Sequence, residues 1–163
     1  MSTPRTAIRI VDAMRDPWRP LPDSATPAAH ALLTLDQWRA RRDTWPVSAP
    51  VGVALANTVD VETLVAELPR WSLLALQFPK WTDGRAYSQA RLLRARLHFG
   101  GEVWATGEVL VDMMPLLQRS GFDAALLRPD QNLDTARRAL SYFAGHYQGD
   151  VLQPRPRFAR IEA

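Results

Sequence analysis

Cysteine is absent from the 163 residues. That removes disulfides, thiolate nucleophiles, thiolate-held iron–sulfur clusters and cysteine-based zinc sites together. Histidine is scarce: His30, His98 and His146 stand too far apart in sequence to pair on a metal through local spacing. No Gly-x-Gly-x-x-Gly run and no phosphate-loop Gly-Lys-Ser/Thr follows an apolar segment, so the commonest nucleotide cradles are missing. No apolar stretch approaches the ~18 residues a membrane helix needs. Met1-Ser2-Thr3-Pro4-Arg5-Thr6 leads directly into a short Ile/Val run rather than a signal-peptide block, so a cytoplasmic protein without a membrane partner is expected.

The remaining composition is that of a folded chain. Hydrophobic residues make up 47%, too many for a disordered segment, and the length suits one domain. Twenty basic residues against 17 acidic ones leave a net charge of +3, too small to call for nucleic acid. The excess is uneven, because no acid occurs from Gly84 through Gly101 while four arginines do.

Residues 1–50 read as an N-terminal arm. Ala7 to Val11 alternate enough for a short strand, Asp16 to Pro22 carries three prolines that break regular structure, and His30 to Leu35 leads into a short charged helix at 36–43. The arm's tryptophan, Trp18, is expected to pack on the domain. From Val51 the chain alternates strand-like and helix-like segments. Val51–Ala56 is a buried strand, with Asn57 and Thr58 capping a helix through Leu68. Trp71–Phe78 is a second strand with a helix over 84–99, and Glu102–Thr106 a third. Pro115 cannot occupy a helix interior, so Asp112 is expected to cap a helix that carries Pro115 in its first turn and stops at Gly121. Phe122–Leu127 is a fourth strand, followed by a helix from Leu133 to Tyr147. Residues 149–163 form an extended basic tail.

Four consecutive βα units over 51–148 predict an α/β protein with a parallel sheet, either a half-barrel or an open doubly wound sheet. A half-barrel leaves an edge for the arm or a second copy to cover, which makes a homodimer a natural expectation. Ligands in such folds bind beyond the carboxyl ends of the strands. Lys80, Gly84, Arg85, Ser88 and Arg128 fall there and compose a candidate site for a small oxyanion at a helix N-terminus. Lys80 and Asp83 are the candidate acid–base groups. The plainer alternative is that Asp83 and Ser88 cap the helix and the cations are solvated. Tyr87, Arg91, Arg94 and His98 share a helical stripe suited either to solvent or to an acidic partner. No metal site is read, the nearest approach being the acids Glu108, Asp112 and Asp130, and no cofactor is expected.

Phe78-Pro79-Lys80-Trp81-Thr82-Asp83-Gly84-Arg85-Ala86-Tyr87-Ser88, then Ala90-Arg91-Leu92-Leu93-Arg94, Gly101-Glu102, Ala105, Gly107, Val109-Leu110 and Gly121-Phe122-Asp123-Ala124, resembles a bacterial domain-of-unknown-function family whose members carry the label "oxidoreductase probably involved in sulfite reduction". That label reflects genes lying beside those of sulfite reductase. The resemblance covers roughly Val51 to Tyr147. Trp104 departs from the usual arginine, Met113 from glutamine and Ser120 from cysteine. It implies an accessory protein of assimilatory sulfite or sulfate reduction, binding a small oxyanion or docking to sulfite reductase. Two readings stand beside it: a half-barrel enzyme acting on a small anion, and a structural homo-oligomer or interaction module.

Overall fold

The computed structural model describes residues 7–143 and 145–159. The opening Met1–Thr6 and the final residues 160–163 of the tail, which figured in the expectations above, lie outside the described residues. Seven strands form one sheet: β1 (Arg9–Ile10), β2 (Arg19–Pro20), β3 (Ala31–Thr34), β4 (Val51–Leu55), β5 (Leu73–Phe78), β6 (Glu102–Gly107) and β7 (Ala124–Ala125). Every pairing is parallel, in the order β1-β7-β6-β5-β4-β3-β2. From β2 to β7 the strands are neighbours in the order of the chain, which is the half-barrel; the first strand alone crosses to the far edge.

Alternation along the strands decides which side chains face which layer. Leu33, Val51, Val53, Leu55, Leu74, Leu76, Phe78, Val103 and Ala105 point to the outer face. There they meet Trp38 of α1 (Leu35–Arg41), Ala86, Ala90 and Leu93 of α2 (Arg85–Ala95), Met114 and Leu117 of α3 (Met114–Ser120), and Ala136 and Ala139 of α4 (Leu133–Ala139). The inner face carries a smaller cluster of Val11, Leu73, Ala75, Trp104 and Ala124, with Trp18 packed against it. Trp104 lies in register between Ala75 and Ala124, two small neighbours that leave room for the indole on a concave surface. Gly52 does the same for Trp18. A Cβ on Gly52 would stand 3.1 Å from the Trp18 ring, so the arm's tryptophan rests on bare backbone.

Several elements differ from the sequence-based expectation, each for a physical reason. The proline-rich stretch contributes β2, because at an edge only Arg19 and Leu21 need to donate inward, to His30 O and Leu32 O, and Pro20 lacks a donor only on the outer side. His30–Leu35 contains β3, and Thr34 closes a capping box with Gln37 that starts α1 (2.9 and 3.2 Å). A βα unit therefore precedes Val51. After β4, Asp60 rather than Asn57 or Thr58 is the cap, and two 3-10 turns, Val61–Leu64 and Leu68–Arg70, replace the expected helix; Pro69 would clash with an α-helical turn.

α2 stops at Ala95 rather than Phe99, and His98 takes a left-handed φ of 52° as the chain folds back. Pro115 does sit in the first turn of α3 and Gly121, at φ 98°, closes it, but Asp112 lies in a 3-10 turn whose cap position is Leu110. β7 is only two residues long. α4 begins where expected, with Asn132 accepting from the Thr135 amide at 2.9 Å, but ends at Ala139, since Phe143 and Tyr147 reach no core. The tail is not wholly extended: Asp150 is buried, accepting from the Leu152 and Gln153 amides, and Arg157–Ala159 makes a 3-10 turn.

Candidate functional site

At the carboxyl end of β5 the chain turns through Lys80 and Trp81, both exposed, into α2. Asp83 receives Arg85 from two sides, with Nε at 3.0 Å and the terminal nitrogen at 2.7 Å, and the Arg85 backbone amide at 3.3 Å. That guanidinium holds the Asp83 carboxyl well below the usual carboxylate range, and Arg85 is raised in turn. Gly84 lies at φ −80°, where a Cβ would meet only the Tyr87 ring at 3.8 Å, and Ser88 is exposed.

Arg128 is held in the same fashion. It donates to Glu108 at 2.8 Å and to both oxygens of Asp130 at 2.9 and 2.5 Å. Asp130 is lowered to about 2 by that guanidinium, and Arg128 is raised. Each expected anion-binding arginine thus already has a carboxylate in its fork, the arrangement that matches a planar oxyanion best. Glu108 and Asp130 share Arg128, whereas Asp112 is exposed on a separate turn; among the described residues no group of three metal-ligating side chains forms.

Two buried amides back this rim. Gln89 Nε2 donates to Ala56 O at 2.9 Å and Val59 O at 2.8 Å, tying the turn after β4 to α2, and its Oε1 accepts nothing. Asn57 Nδ2 is buried without a hydrogen bond of proper geometry. Asn57 was legible as a strand-end residue; Gln89 gave no signal in the sequence, where it reads as one more polar helix position.

The helical stripe is not continuous. Arg91 and His98 are exposed, while Tyr87 packs edge-on to Phe78 at 5.0 Å, and burial pushes its phenol up to about 12. Arg94 is inside, its side chain 2% exposed, donating to Gly121 O, Phe99 O and Gly101 O and paired with Asp123. It closes the layer between α2 and the strands β6 and β7, and is no part of a docking surface.

The other end of the half-barrel carries a groove of about 620 Å³ at the amino ends of the strands, walled by Arg9, Asp16, Trp18, His30, Ser72 and Glu102. Arg9 reaches across Ala124 of β7 to lie over the Trp104 ring at 5.0 Å and to donate to Asp16 at 2.8 Å and Glu102 at 2.7 Å. Glu102 Oε2 also accepts from the Trp104 indole N–H at 2.6 Å. These residues come from separate segments, and no local spacing in the sequence marks them.

The fold and both ends of the sheet define an α/β half-barrel with a charge-compensated rim at the carboxyl ends of its strands and a groove at the amino ends. Within that class the chain belongs to the bacterial protein family of unknown function DUF934, which matches residues 52–158. No curated protein matches the chain. The family match opens inside β4, so Arg9, Asp16, Trp18 and His30 of the groove precede it.

Proposed function

We propose that this chain is an accessory protein of assimilatory sulfite reduction that acts by docking to sulfite reductase. The observation that carries the docking half is a run of uncovered aromatic rings after α4. Tyr142, Phe143, Tyr147 and Phe158 are 62, 77, 68 and 71% exposed, and the rings of Tyr147 and Phe158 lie 5.4 Å apart. Rings of this size left in water are what a partner surface buries, and aromatic side chains dominate interface energetics. The exposed Arg138 at the end of α4 suits an acidic partner, whereas the neighbouring Arg137 already pairs with Asp134 at 2.7 Å.

The sulfite connection rests on the family resemblance. Reduction of sulfite needs six electrons delivered through metal or organic cofactors, and the sequence offers no recognisable ligand set for either, which favours a supporting role. A second reading, capture of a small oxyanion at the rim, is favoured by two donors at adjacent strand ends. Among the described residues the Lys80 ammonium makes no ion pair, and the Asn57 amide, which helps to lower Asp83, makes no close hydrogen bond. The compensated Arg85 and Arg128 favour docking over it. An enzyme using Asp83 as acid or base fits less well, since a carboxyl held so far toward its charged form is a poor proton donor near neutral pH.

Sedimentation velocity of the purified chain, of sulfite reductase and of their mixture tests the proposal, beside a Phe143→Ser/Phe158→Ser double variant. A co-sedimenting boundary at micromolar concentrations that disappears in the variant is expected; independent boundaries for the native proteins overturn docking. Calorimetric titration with sulfite, sulfate and phosphate, beside Arg85→Ala, separates the second reading. Saturable heat that the variant loses would put the oxyanion first.

A further inference from the structure

We propose that the groove at the amino ends of the strands is a binding site for a small primary amine carrying a planar apolar body. Its volume, about 620 Å³, falls in the range of small-molecule sites. The polar groups in its wall have accepting capacity left over. Glu102 Oε2 accepts from Arg9 and Trp104, but among the described residues Oε1 accepts nothing. Neither ring nitrogen of His30 and not the Ser72 hydroxyl takes part in a hydrogen bond there. Three groups able to accept therefore line one groove, His30 and Ser72 able to donate as well and Glu102 only to accept.

The groove's own cation is already engaged by the carboxylates of its wall. Arg9 spends its two terminal nitrogens on Asp16 and Glu102 and its planar face on Trp104. Arg19, the next guanidinium along the chain, turns to the main-chain carbonyls of Met14, Asp16 and Trp18 and does not line the groove. Within the wall, two carboxylates stand against one guanidinium. An oxyanion could use His30, Ser72 and the N–H groups that Arg9 has left but would face the excess negative charge, whereas an ammonium brings three donors that Glu102 Oε1, Ser72 Oγ and His30 can accept.

Trp18 supplies the apolar wall. Its ring sits on Gly52 and packs edge-on to His30 at 5.1 Å, so the two rings form a corner. His30 keeps that position through a left-handed φ of 61°, a conformation that residues other than glycine adopt at a cost and that collects at binding sites.

The test uses benzylammonium as the probe, with benzoate as the anion of matched shape, both titrated into the native chain by calorimetry and by amide chemical-shift mapping. Expected are saturable benzylammonium binding with shifts at Trp18, Ser72 and Glu102, at least about tenfold weaker binding of benzoate, and a loss of about tenfold or more in Glu102→Gln. Glutamine retains an acceptor for the Trp104 indole; if that variant nonetheless fails to fold, Ser72→Ala with the native-chain mapping decides the matter. Equal binding of benzoate, unchanged affinity in the folded variants, or no groove shifts at millimolar benzylammonium overturns the proposal.

Discussion

Arg94 and Asp123 form an ion pair whose arginine has lost nearly all contact with water, while three main-chain carbonyls, of Phe99, Gly101 and Gly121, accept from the same guanidinium. Asp123 also accepts from the Val103 amide at 2.8 Å, so the pair links α2 to both strands beneath it. Breaking a buried pair from one side leaves charge and carbonyls without partners, and Arg94→Met is expected to cost about 3–5 kcal/mol. Urea denaturation measures this. A loss below about 1 kcal/mol would mean that water replaces the guanidinium without penalty.

Gly121 and Gly84 make a matched pair of tests. Gly121 lies at φ 98°, and a Cβ there would stand 2.6 Å from Arg94 Cγ, so Gly121→Ala combines left-handed strain with a clash and is expected to cost about 2 kcal/mol or more. Gly84 lies at φ −80° with its nearest neighbour, Tyr87, 3.8 Å from a Cβ. Gly84→Ala is therefore expected to be neutral within about 0.5 kcal/mol or mildly stabilising. Thermal melts of the two variants should separate clearly.

Tyr87 should be a late-titrating phenol. Burial raises its pKa from 10.0 to about 12, because the charged phenolate is the form that desolvation penalises. A raised pKa contributes stability that is present below the unfolded value near 10 and is lost as pH climbs through about 12. Ultraviolet difference titration of the native chain against Tyr87→Phe should place the missing transition near 12. A transition near 10 would show that the ring is hydrated.

Asp83 behaves in the opposite sense. Its carboxyl is lowered chiefly by Arg85, so the contribution is present above the ordinary carboxylate range and disappears as pH falls toward the lower, folded value. Carbon-13 NMR should find the carboxyl still ionised where ordinary aspartates are half protonated, and Arg85→Ala should return it toward the usual range. An unchanged titration in the variant would assign the shift elsewhere. Asp130, lowered to about 2 by Arg128, offers the same comparison with Arg128→Ala.

Trp104→Phe isolates one bond on the inner face. The ring still fits between Ala75 and Ala124 and under Arg9, but the donor to Glu102 is gone, so a loss of about 1 kcal/mol is expected. A loss of several kcal/mol would point to packing rather than the bond, and calorimetric melting distinguishes the two.

Much of the architecture is legible in the sequence. Continuous apolar runs such as Val51–Leu55 and Leu73–Phe78 announce strands buried on both faces, and Pro115 and Gly121 bracket α3 because each has few conformations open to it. The short elements were not readable. β2 and β7 are two residues each, too brief for a periodicity, and they exist because neighbouring strands present open hydrogen-bonding edges to them. The stripe over α2 failed at Arg94 for a related reason: helical spacing gives the face, but whether a guanidinium on its margin turns outward or inward depends on carbonyls at Phe99, Gly101 and Gly121 that only the folded turn assembles.

The sequence by itself determined the parallel α/β plan, the repeated strand–helix rhythm from Val51 onward and the turn at which Asp83 meets Arg85, because each depends on residues close together in the chain. Tertiary structure alone decided that the strands run in half-barrel order, that Arg128 reaches Glu108 across 20 residues of chain, and that Arg9, Trp18, His30, Ser72 and Glu102 meet at one groove. Those outcomes depend on distances between segments tens of residues apart, set by strand register and packing rather than by any local preference.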